Sequence, residues 1–531
     1  MTFRIVAALL AAVGVVSCAG RAADRTPART TLVVGQFGEF RALNPLYLMG
    51  YYQLEIDALM YTRLVWLDGD GKLVPQLATA VPSRENGGIS RDGLTITYHL
   101  RHDAHWSDGV PLTSRDVAFT HQAQMNPKNV APEEIGDSEI RSLETPDPYT
   151  VRVHLKRPWA PFISEFTRGI LPAHILGTDA SLFNAAFNAH PVGSGPYRFV
   201  EWLRGDHVTF EADPQYWGRK PRIKRIQFDI IPDANTAAIE LRSGDIQMEV
   251  NFDPARLPEV RSDPKLRIAA TRERAFRIMV FNDTAAPLTD VRLRKALALA
   301  IDRPTIVRKA TYGVDDPARG NLAVFGWAYD PAIAPLPYDP QEARRLLDAA
   351  GWRPGPDGIR RKGGQRLELS LAIVSGEPTY ATMATQIIQQ AKAVGVAIDI
   401  KDYTESQMFM TTQAGTLYGG HFQVALTNFR TDYDPDPTWL LGCDHGVALP
   451  YNYEHYCDAR TSALLDAAVA TFDPPTRRRD YALLQQRMND EVPVVIFSQL
   501  VQLTVVPRAV ENIDPIPVAG PFWNVTAWRF H

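Results

Sequence analysis

The chain has 531 residues, of which 45% are hydrophobic and 22% charged, so it can bury a large core and should divide into several lobes. Its 56 basic and 60 acidic residues leave a formal net charge of −4, which gives no electrostatic reason to expect nucleic acid or an anionic membrane surface as a partner. The 40 prolines and 35 glycines are scattered singly, a pattern typical of ordered turns rather than flexible linkers.

The N-terminal segment has the features of an export signal. Arg4 supplies a positive charge, and the apolar stretch 5–16 is too short to span a bilayer as a stable helix. Cys18 follows two valines and a serine, so residues 1–18 resemble a lipoprotein signal peptide whose lipobox would make Cys18 the lipidated N-terminus. An ordinary signal peptide with an incidental cysteine is the alternative. Residues 19–30 are predicted to be a tether, and membrane attachment would depend on the lipid alone.

Two further cysteines, Cys443 and Cys457, are predicted to form a disulfide, since the chain is expected to reach an oxidising compartment. Closing a loop of roughly fifteen residues stabilises a fold by about 3 kcal/mol in the chain-entropy model. A zinc site is the alternative, because His445 and His455 lie two residues from the cysteines and could complete a tetrahedral set of ligands.

The predicted elements alternate between strands and helices. In the first part of the chain, strand-like runs lie at 31–35, 94–100 and 149–155. Asp233 is predicted to cap a helix that ends at Gly244. A second helix has an N-cap, a proline at its first position and a glycine after its last turn, and these are Asp339, Pro340 and Gly351. The later elements are strand 367–374, helix 378–394, strand 396–400 and strand 422–427. They predict a doubly wound third lobe.

Ligands of open α/β sheets bind beyond the carboxyl ends of the strands, so we searched for a site directly after strand 422–427. The segment reads Asn428, Phe429, Arg430, Thr431, Asp432, Tyr433, Asp434, Pro435, Asp436 and Pro437. It predicts a rigid polar and aromatic rim that can pair an ammonium with a carboxylate and stack apolar side chains. Asp434 and Asp436 each precede a proline and are predicted to organise turns, which leaves Asp432 as the functional candidate.

Several segments occur in the order and spacing of a known family. They are 43–45, 97–112, 113–119, 193–197, 281–282 leading to 287–288, 292–303, 338–351, the Asp432 loop and 457–465. Together they make nearly everything after residue 30 resemble the family-5 extracellular solute-binding proteins, which include oligopeptide, dipeptide and nickel binders.

The resemblance implies an α/β fold of the two-lobed periplasmic-binding-protein type II-like kind, with an extra inserted α/β domain. The implied borders are 31–66, 184–275 and 498–531 for lobe I, 67–183 for the inserted domain II, and 276–497 for lobe III. The chain is expected to cross between the lobes near 276–281 and 494–499. Closure of the lobes over a ligand would follow bending at these crossings.

The resemblance also assigns roles in the site. In the peptide-binding relatives an aspartate after the matching strand accepts the α-ammonium of the ligand, and Asp432 occupies that position. Phe429 is expected to line a side-chain pocket, with Asn428 and Tyr433 as further ligand contacts. The chain departs from the oligopeptide binders at Leu426, where they have an arginine that helps to hold the ligand's carboxylate. Arg430 could substitute for that arginine, or it could bridge Asp432 or Asp434 on the protein.

The function implied is capture of a peptide or related small solute and its delivery to the membrane permease of an ABC importer. Alternatives are a nickel complex, an opine or an oligosaccharide as ligand, a signalling role, and a secreted hydrolase. We expect a monomer in the cell envelope that is not an enzyme, with no cofactor, no resident metal and no nucleic-acid partner.

Two further motifs are expected to be structural. His99, His102 and His105 are expected to diverge rather than bind a metal. The segment 193–195 is expected to be a turn rather than a phosphate loop or nucleophile elbow.

Overall fold

The structure is a computed structural model that describes residues 30–47, 53–69, 72–129, 131, 135–320, 326–431, 434–443, 451–516 and 520–531. The strands are β1 (Thr31–Gln36), β2 (Val65–Leu67), β3 (Leu73–Pro75), β4 (Thr95–His99), β5 (Ile140–Asp147), β6 (Thr150–Leu155), β7 (Tyr197–Leu203), β8 (His207–Ala212), β9 (Arg225–Ile230), β10 (Met248–Glu249), β11 (Leu266–Phe281), β12 (Asp316–Pro317), β13 (Arg353–Pro354), β14 (Arg360–Lys362), β15 (Gln365–Arg366), β16 (Glu368–Val374), β17 (Ala397–Tyr403), β18 (Val424–Arg430), β19 (Val494–Pro507), β20 (Val510–Glu511) and β21 (Arg529–Phe530).

The α-helices are α1 (Gln53–Met60), α2 (Ser114–Met125), α3 (Ile135–Glu139), α4 (Ala173–Leu176), α5 (Ala234–Ser243), α6 (Leu257–Arg261), α7 (Val291–Ala300), α8 (Arg303–Ala310), α9 (Pro340–Ala349), α10 (Pro378–Ala393), α11 (Glu405–Phe409), α12 (Thr438–Leu441), α13 (Ala459–Ala470) and α14 (Pro474–Glu491). Short 3-10 helices occupy Pro45–Tyr47, Pro127–Asn129, Ala160–Thr167, Ala186–Asn188, Pro254–Arg256, Gly326–Ala328 and Pro521–Ala527.

The two helices predicted from their capping residues begin and end where the sequence indicates. Asp233 accepts a backbone N–H at 2.8 Å where α5 begins, and Gly244 ends that helix with a φ of 85°. Asp339 accepts the amide N–H of Glu342 at 2.9 Å where α9 begins, and Gly351 follows that helix with a φ of 86°. Glycine adopts such positive φ values without the clash that a side chain would cause. Both helix predictions are confirmed.

The predicted strands are present, with one error that affects the site. Strands β1, β4 and β6 match the three predicted runs, and β16, α10 and β17 form the predicted parallel β-α-β unit. Strand β18 does not end at residue 427 as predicted. It continues to Arg430 because its antiparallel pairing with β11 extends as far as Ala275 opposite Arg430. Asn428, Phe429 and Arg430 therefore belong to the strand and not to the loop after it.

One large sheet runs through both lobes of the protein. Its strand order is β17-β16-β18-β11-β19-β10-β1-β9-β8-β7, with β12 paired to β19 at the side. The long strands β11 and β19 pair with each other, while β11 also pairs with β18 and β19 also pairs with β10. They therefore pass from one lobe to the other. Their register shifts between Arg272 and Phe276, so the ladder is interrupted where the lobes meet.

Separate hydrophobic cores define the lobes. In the lobe that contains β18, helices α7 to α10 cover one face of the sheet and helices α11 to α14 the other, as predicted for a doubly wound unit. The other lobe has its own core, which includes Val34, Phe210, Phe228 and Trp528. The two-lobed α/β fold expected from the sequence is confirmed.

An additional α/β unit lies between the segments of the first lobe. Its sheet has the order β4-β6-β5 and packs with α2 around a core that includes Tyr98, Trp106 and Phe162. The amide N–H of Thr113 donates to the Asp116 carboxylate at 2.8 Å where α2 begins. This unit is the inserted domain of the predicted fold.

The three closely spaced histidines of the insertion engage three different partners. His99 Nδ1 lies 3.5 Å from the Thr150 hydroxyl oxygen, and the His102 ring stacks on Tyr149 at 3.9 Å. His105 Nδ1 lies 3.1 Å from a backbone carbonyl oxygen. The imidazoles diverge, as predicted.

The glycines of segment 193–195 allow a close backbone approach. A Cβ on Gly193 or Gly195 would lie 2.3 or 2.4 Å from a backbone oxygen at the end of α1, and Ser194 Oγ accepts the N–H of Thr62 at 3.0 Å. The segment is a structural turn, as predicted. Within the parts of the chain that the structure describes, no helix has the length and apolar character needed to cross a membrane.

Candidate functional site

Strand β18 carries three of the predicted ligand-binding residues to the region where the lobes meet. Its side chains alternate, so that Asn428 and Arg430 are exposed on one face while Phe429 on the other is only 2% exposed. The Asn428 side-chain amide donates to the hydroxyl of Tyr380 at 3.4 Å, and Tyr380 lies in the first turn of α10. One polar face of β18 therefore continues into the N-terminus of α10.

The end of β18 is bonded to the crossing strand β11. Arg430 donates to the Glu273 carboxylate at 3.0 Å, a partner that the sequence did not suggest. Thr431 donates its backbone N–H to the carbonyl oxygen of Arg274 at 2.8 Å and its hydroxyl to the same oxygen at 3.2 Å. Because Glu273 and Arg274 lie in the interrupted part of the ladder, the predicted binding segment begins at the junction of the lobes.

Beyond Thr431, two of the predicted site residues, Asp432 and Tyr433, lie outside the described residues. The description resumes at Asp434, whose two oxygens accept hydrogen bonds of 2.6 and 2.7 Å from Arg477 on α14. Arg477 also donates to the Tyr481 hydroxyl at 2.9 Å. Burial opposes the charge of Arg477, but the field and hydrogen bonds of Asp434, together with the fields of Tyr481 and Asp436, outweigh it and raise the pKa of the guanidinium.

Asp436 has a local structural role. Its carboxylate accepts the backbone N–H of Thr438 at 3.1 Å and the Thr438 hydroxyl at 2.6 Å, which orders the first turn of α12. Burial raises the pKa of Asp436 to about 6. The turn predicted at Asp436 is confirmed. The turn role predicted for Asp434 is wrong, because its carboxylate pairs with Arg477 on another helix.

Phe429 packs in an aromatic cluster behind this face. Its ring centroid lies 6.2 Å from that of Tyr451, which in turn lies 5.6 Å from Trp439 and 6.0 Å from Tyr453. Edge-to-face contacts at these distances stabilise aromatic pairs by about 0.5–1.5 kcal/mol each. Tyr451 is the exposed member of the cluster, so it is the ring that a ligand could reach without rearrangement.

A disulfide bond closes the segment next to the aromatic cluster. Cys443 and Cys457 are joined by an S–S bond of 2.12 Å with a Cα–Cα distance of 4.6 Å. The predicted disulfide is confirmed, and the zinc alternative is wrong because both sulfur atoms are bonded to each other. The bond links the end of α12 to the residue before the cap of α13, so it fixes one edge of the candidate site.

A second polar network fastens the two crossing strands. Asp315 accepts hydrogen bonds from Arg277 on β11 at 2.8 Å and from the Ser498 hydroxyl on β19 at 3.0 Å. Its other oxygen accepts the backbone N–H of Val501 at 3.1 Å, and Val501 is the partner of Arg272 next to the interruption in the ladder. One buried carboxylate therefore compensates for the irregular pairing.

Leu426, the position that departs from the oligopeptide binders, is a core residue. It is fully buried and packs with apolar residues of the helices that cover that face of the sheet. Its partner across the ladder is Met279. An arginine side chain here would require a different packing of this face.

The first lobe contributes a buried carboxyl group, Glu55, in the first turn of α1. It is 3% exposed, and burial together with the negative charge of Glu273 raises its pKa to about 8. Sequence reasoning missed Glu55, Glu273 and Asp315, because their interactions join segments far apart in the chain. The one available signal was the run of three consecutive charges at 272–274 within a single strand.

Two lobes that share crossing strands, with polar side chains gathered at the crossing, define a hinged solute-binding protein. Residues 72–448 match the model of the bacterial extracellular solute-binding proteins, family 5 (middle region), and the chain belongs to this family.

Curated relatives match along most of the chain. It is 32% identical to Protein XP55 of Streptomyces lividans over 87% of this chain and 82% of that one. It is 26% identical to the oligopeptide-binding protein AppA of Bacillus subtilis over 96% of this chain and 94% of that one.

A solved structure has the same fold. The crystal structure of NikZ from Campylobacter jejuni in complex with Ni(L-His) superposes with a TM-score of 0.80 at 26% identity. The match covers 94% of this chain and 99% of that chain. Similar proteins therefore include an oligopeptide binder and a protein crystallised with a nickel–histidine complex.

Proposed function

We propose that the protein captures peptides between its two lobes and delivers them to the membrane permease of an ABC importer. The observation that carries the proposal is the bonding of the end of β18 to the crossing strand, through Arg430 and Thr431. This bonding holds the end of β18, directly before Asp432 in the chain, at the junction of the lobes. The overall similarity to an oligopeptide-binding protein supports the same assignment.

In this proposal Asp432 accepts the α-ammonium of the peptide, with Asn428, Arg430 and Tyr433 as neighbouring contacts. The buried Phe429 supports Tyr451, the ring that the ligand can reach. A carboxylate that is enclosed by lobe closure loses its hydration, and its burial is unfavourable unless a cation pairs with it. The ligand's ammonium supplies that cation, so the closed form is stable only when the ligand is present. Main-chain hydrogen bonds and hydrated side-chain pockets would then accept peptides of varied sequence.

A nickel complex is the second candidate ligand. The similarity to NikZ supports it, and so does the fully buried Leu426, because this position offers no charge for a peptide carboxylate. The two candidates differ in a way that can be measured directly. The protein should be purified from its native cell envelope without unfolding and its bound solute identified by mass spectrometry and metal analysis. Peptides are expected, whereas stoichiometric nickel without peptide would contradict the proposal.

The borders of the domains are part of the proposal. We assign 31–66, 184–275 and 498–531 to lobe I, 67–183 to the inserted domain II and 276–497 to lobe III. The shift in register between Arg272 and Phe276 supports a border near residue 275. No catalytic role is proposed, in keeping with the binding proteins that the chain is similar to.

We further propose that residues 1–18 are a lipoprotein signal segment that is cleaved directly before Cys18. Cys18 then becomes the lipidated N-terminus, and residues 19–30 tether a monomer outside the cytoplasmic membrane. Cys18 lies outside the described residues. The support is the sequence pattern before Cys18 and membership in a family of extracellular proteins. Cys18→Ala should release the protein from the membrane fraction and abolish incorporation of labelled fatty acid. A variant that stays membrane-bound would contradict the lipid anchor.

A further inference from the structure

Glu55 is a buried carboxyl group whose hydrogen-bonding capacity is not used by the protein. It lies in the first turn of α1 and is 3% exposed. Its Oε2 atom is buried and has no hydrogen-bond partner among the residues that the structure describes. Buried polar atoms in folded proteins are generally bonded, so an unpaired carboxyl oxygen near Glu273 indicates a partner that arrives with the ligand.

The charged group that acts on Glu55 is another carboxylate. Glu273, on the crossing strand β11, is 5% exposed and repels a negative charge on Glu55. The negative charge of Glu273 is paired with Arg430 at 3.0 Å, and its backbone carbonyl accepts the Gln499 side-chain amide at 2.7 Å. Glu273 is therefore held in place by both lobe-crossing strands and by β18, with Glu55 facing it from the first lobe.

Other arginines at the crossing already have carboxylate partners on the protein. Arg277 pairs with Asp315 at 2.8 Å, and Arg272 pairs with Asp316. These pairs balance positive and negative charge one for one. Arg430 is paired in the same way with Glu273. These three pairs therefore supply no cation for Glu55. A positive group of a ligand would satisfy the open oxygen of Glu55 and offset the repulsion from Glu273.

We propose that Glu55 is a second acceptor for positive charge in the ligand site, so that the preferred solutes are peptides that carry a basic side chain in addition to their amino terminus. This inference rests on the proposed peptide-binding function and names the class of peptide. Because Glu55 lies on α1, a ligand that carries this second positive charge would bind to the first lobe as well.

Binding of such a ligand should be coupled to proton release. The pKa of Glu55 is raised to about 8 by burial and by Glu273, so the group is mostly protonated at pH 7 in the empty protein. A cation that approaches the carboxyl group favours its ionised form. A basic peptide is thus expected to displace up to about one proton at pH 7, and fewer as the pH rises above about 8.

The test is calorimetric titration of the full-length protein, freed of bound solute, with four tripeptides at pH 7. The peptides are trialanine and its three variants with a single lysine, and each titration is repeated in phosphate and in Tris buffer. At least one lysine peptide should bind on the order of tenfold more tightly than trialanine. Its apparent enthalpy should differ between the buffers by an amount that reports released protons.

Two variants separate Glu55 from general charge effects. Glu55→Gln keeps the shape of a protonated carboxyl group, so it should fold as the wild type does, while losing both the lysine preference and the proton release. Glu405→Gln makes the same change in the first turn of α11, where Glu405 is exposed, and should alter neither.

The outcomes distinguish this inference from the function on which it rests. Lysine peptides that bind no more tightly than trialanine, or a Glu55→Gln variant that keeps the preference, would overturn the inference while leaving peptide binding intact. Binding of the lysine peptides without proton release would also overturn it, and that measurement needs only the wild-type protein. If none of the peptides binds the wild type, the peptide-binding function fails together with the inference.

Discussion

The guanidinium of Arg477 on α14 binds both oxygens of Asp434, at 2.6 and 2.7 Å, and both side chains are almost completely buried. The same guanidinium lies 5.1 Å from the ring centroid of Trp327 and donates to the carbonyl oxygen of Ala468 at 2.8 Å. This pair fixes the chain two residues after Asp432. It therefore connects the stability of the third lobe with the position of the proposed ligand-binding loop.

Removing one partner of this ion pair should destabilise the protein strongly. Arg477→Met leaves Asp434 buried and unpaired, and such changes typically cost about 3–5 kcal/mol. Urea unfolding monitored by circular dichroism measures the loss. Lys401→Met serves as the control, because Lys401 and its partner Asp399 are both exposed and such a pair should contribute little to the free energy of unfolding. The double variant Arg477→Met with Asp434→Asn should be more stable than the sum of the single losses predicts, and strict additivity would contradict a direct interaction.

Loss of the disulfide should destabilise the protein and loosen the edge of the site. The bond between Cys443 and Cys457 spans 14 positions, and replacing both cysteines with serine is expected to lower the free energy of unfolding by about 3 kcal/mol. Unfolding of the variant and of the oxidised wild type in urea gives the difference. The reduced wild type should match the variant, and equal stability of oxidised and reduced protein would show that the bond does not brace the fold.

Stability should decrease as the pH rises from 5 to 8. Burial raises the pKa of Asp283 to about 7, against the opposing field of Arg294, and burial also raises the pKa of Glu454 well above its usual value. Unfolded carboxyl groups have pKa values near 4, so the folded state binds these protons more tightly. The stabilisation is complete below about pH 4 and is lost as the pH rises through the folded-state values. Urea unfolding at pH 5 and pH 8 measures the decrease.

Variants of single carboxyl groups test this pH dependence. Glu454→Gln imitates the protonated side chain, so the difference between pH 5 and pH 8 should become smaller. Asp458→Asn is the control, because Arg487 lowers the pKa of Asp458 to about 2 and its contribution is already complete at pH 5. Its cost should be the same at both pH values. A Glu454→Gln variant with the full wild-type pH dependence would contradict the assignment.

The sequence predicted those parts of the fold that depend on neighbouring residues. Asp233 and Asp339 cap helices because their side chains reach backbone N–H groups within the next turn. The end of β18 was wrong because its last residues are held in the strand by pairing with β11, far away in the chain. The partner of Arg430 lies 157 positions away, so the spacing of charges along the sequence gave no signal for it.

Ligand binding should make the protein more compact. The crossing strands β11 and β19 join the lobes where their pairing is interrupted, which gives the lobes a place to rotate. Small-angle scattering should show a smaller radius of gyration with ligand than without it. Protein carrying Asp432→Ala should remain extended at the same ligand concentration. A radius that ligand does not change in the wild type would contradict hinge closure as the mode of capture.

The most direct test of the proposed function is the affinity of Asp432→Ala for the peptide that co-purifies with the wild type. Calorimetry should show binding weakened by roughly 2–4 kcal/mol, the range expected when a charged group loses its partner on binding. Asp402→Ala is the matched control, because Asp402 is exposed near the carboxyl end of β17, which lies two strands from β18 in the same sheet. We predict that Asp402→Ala binds the peptide with wild-type affinity and that Asp432→Ala loses most of its affinity. Unchanged affinity in Asp432→Ala would contradict the proposed function.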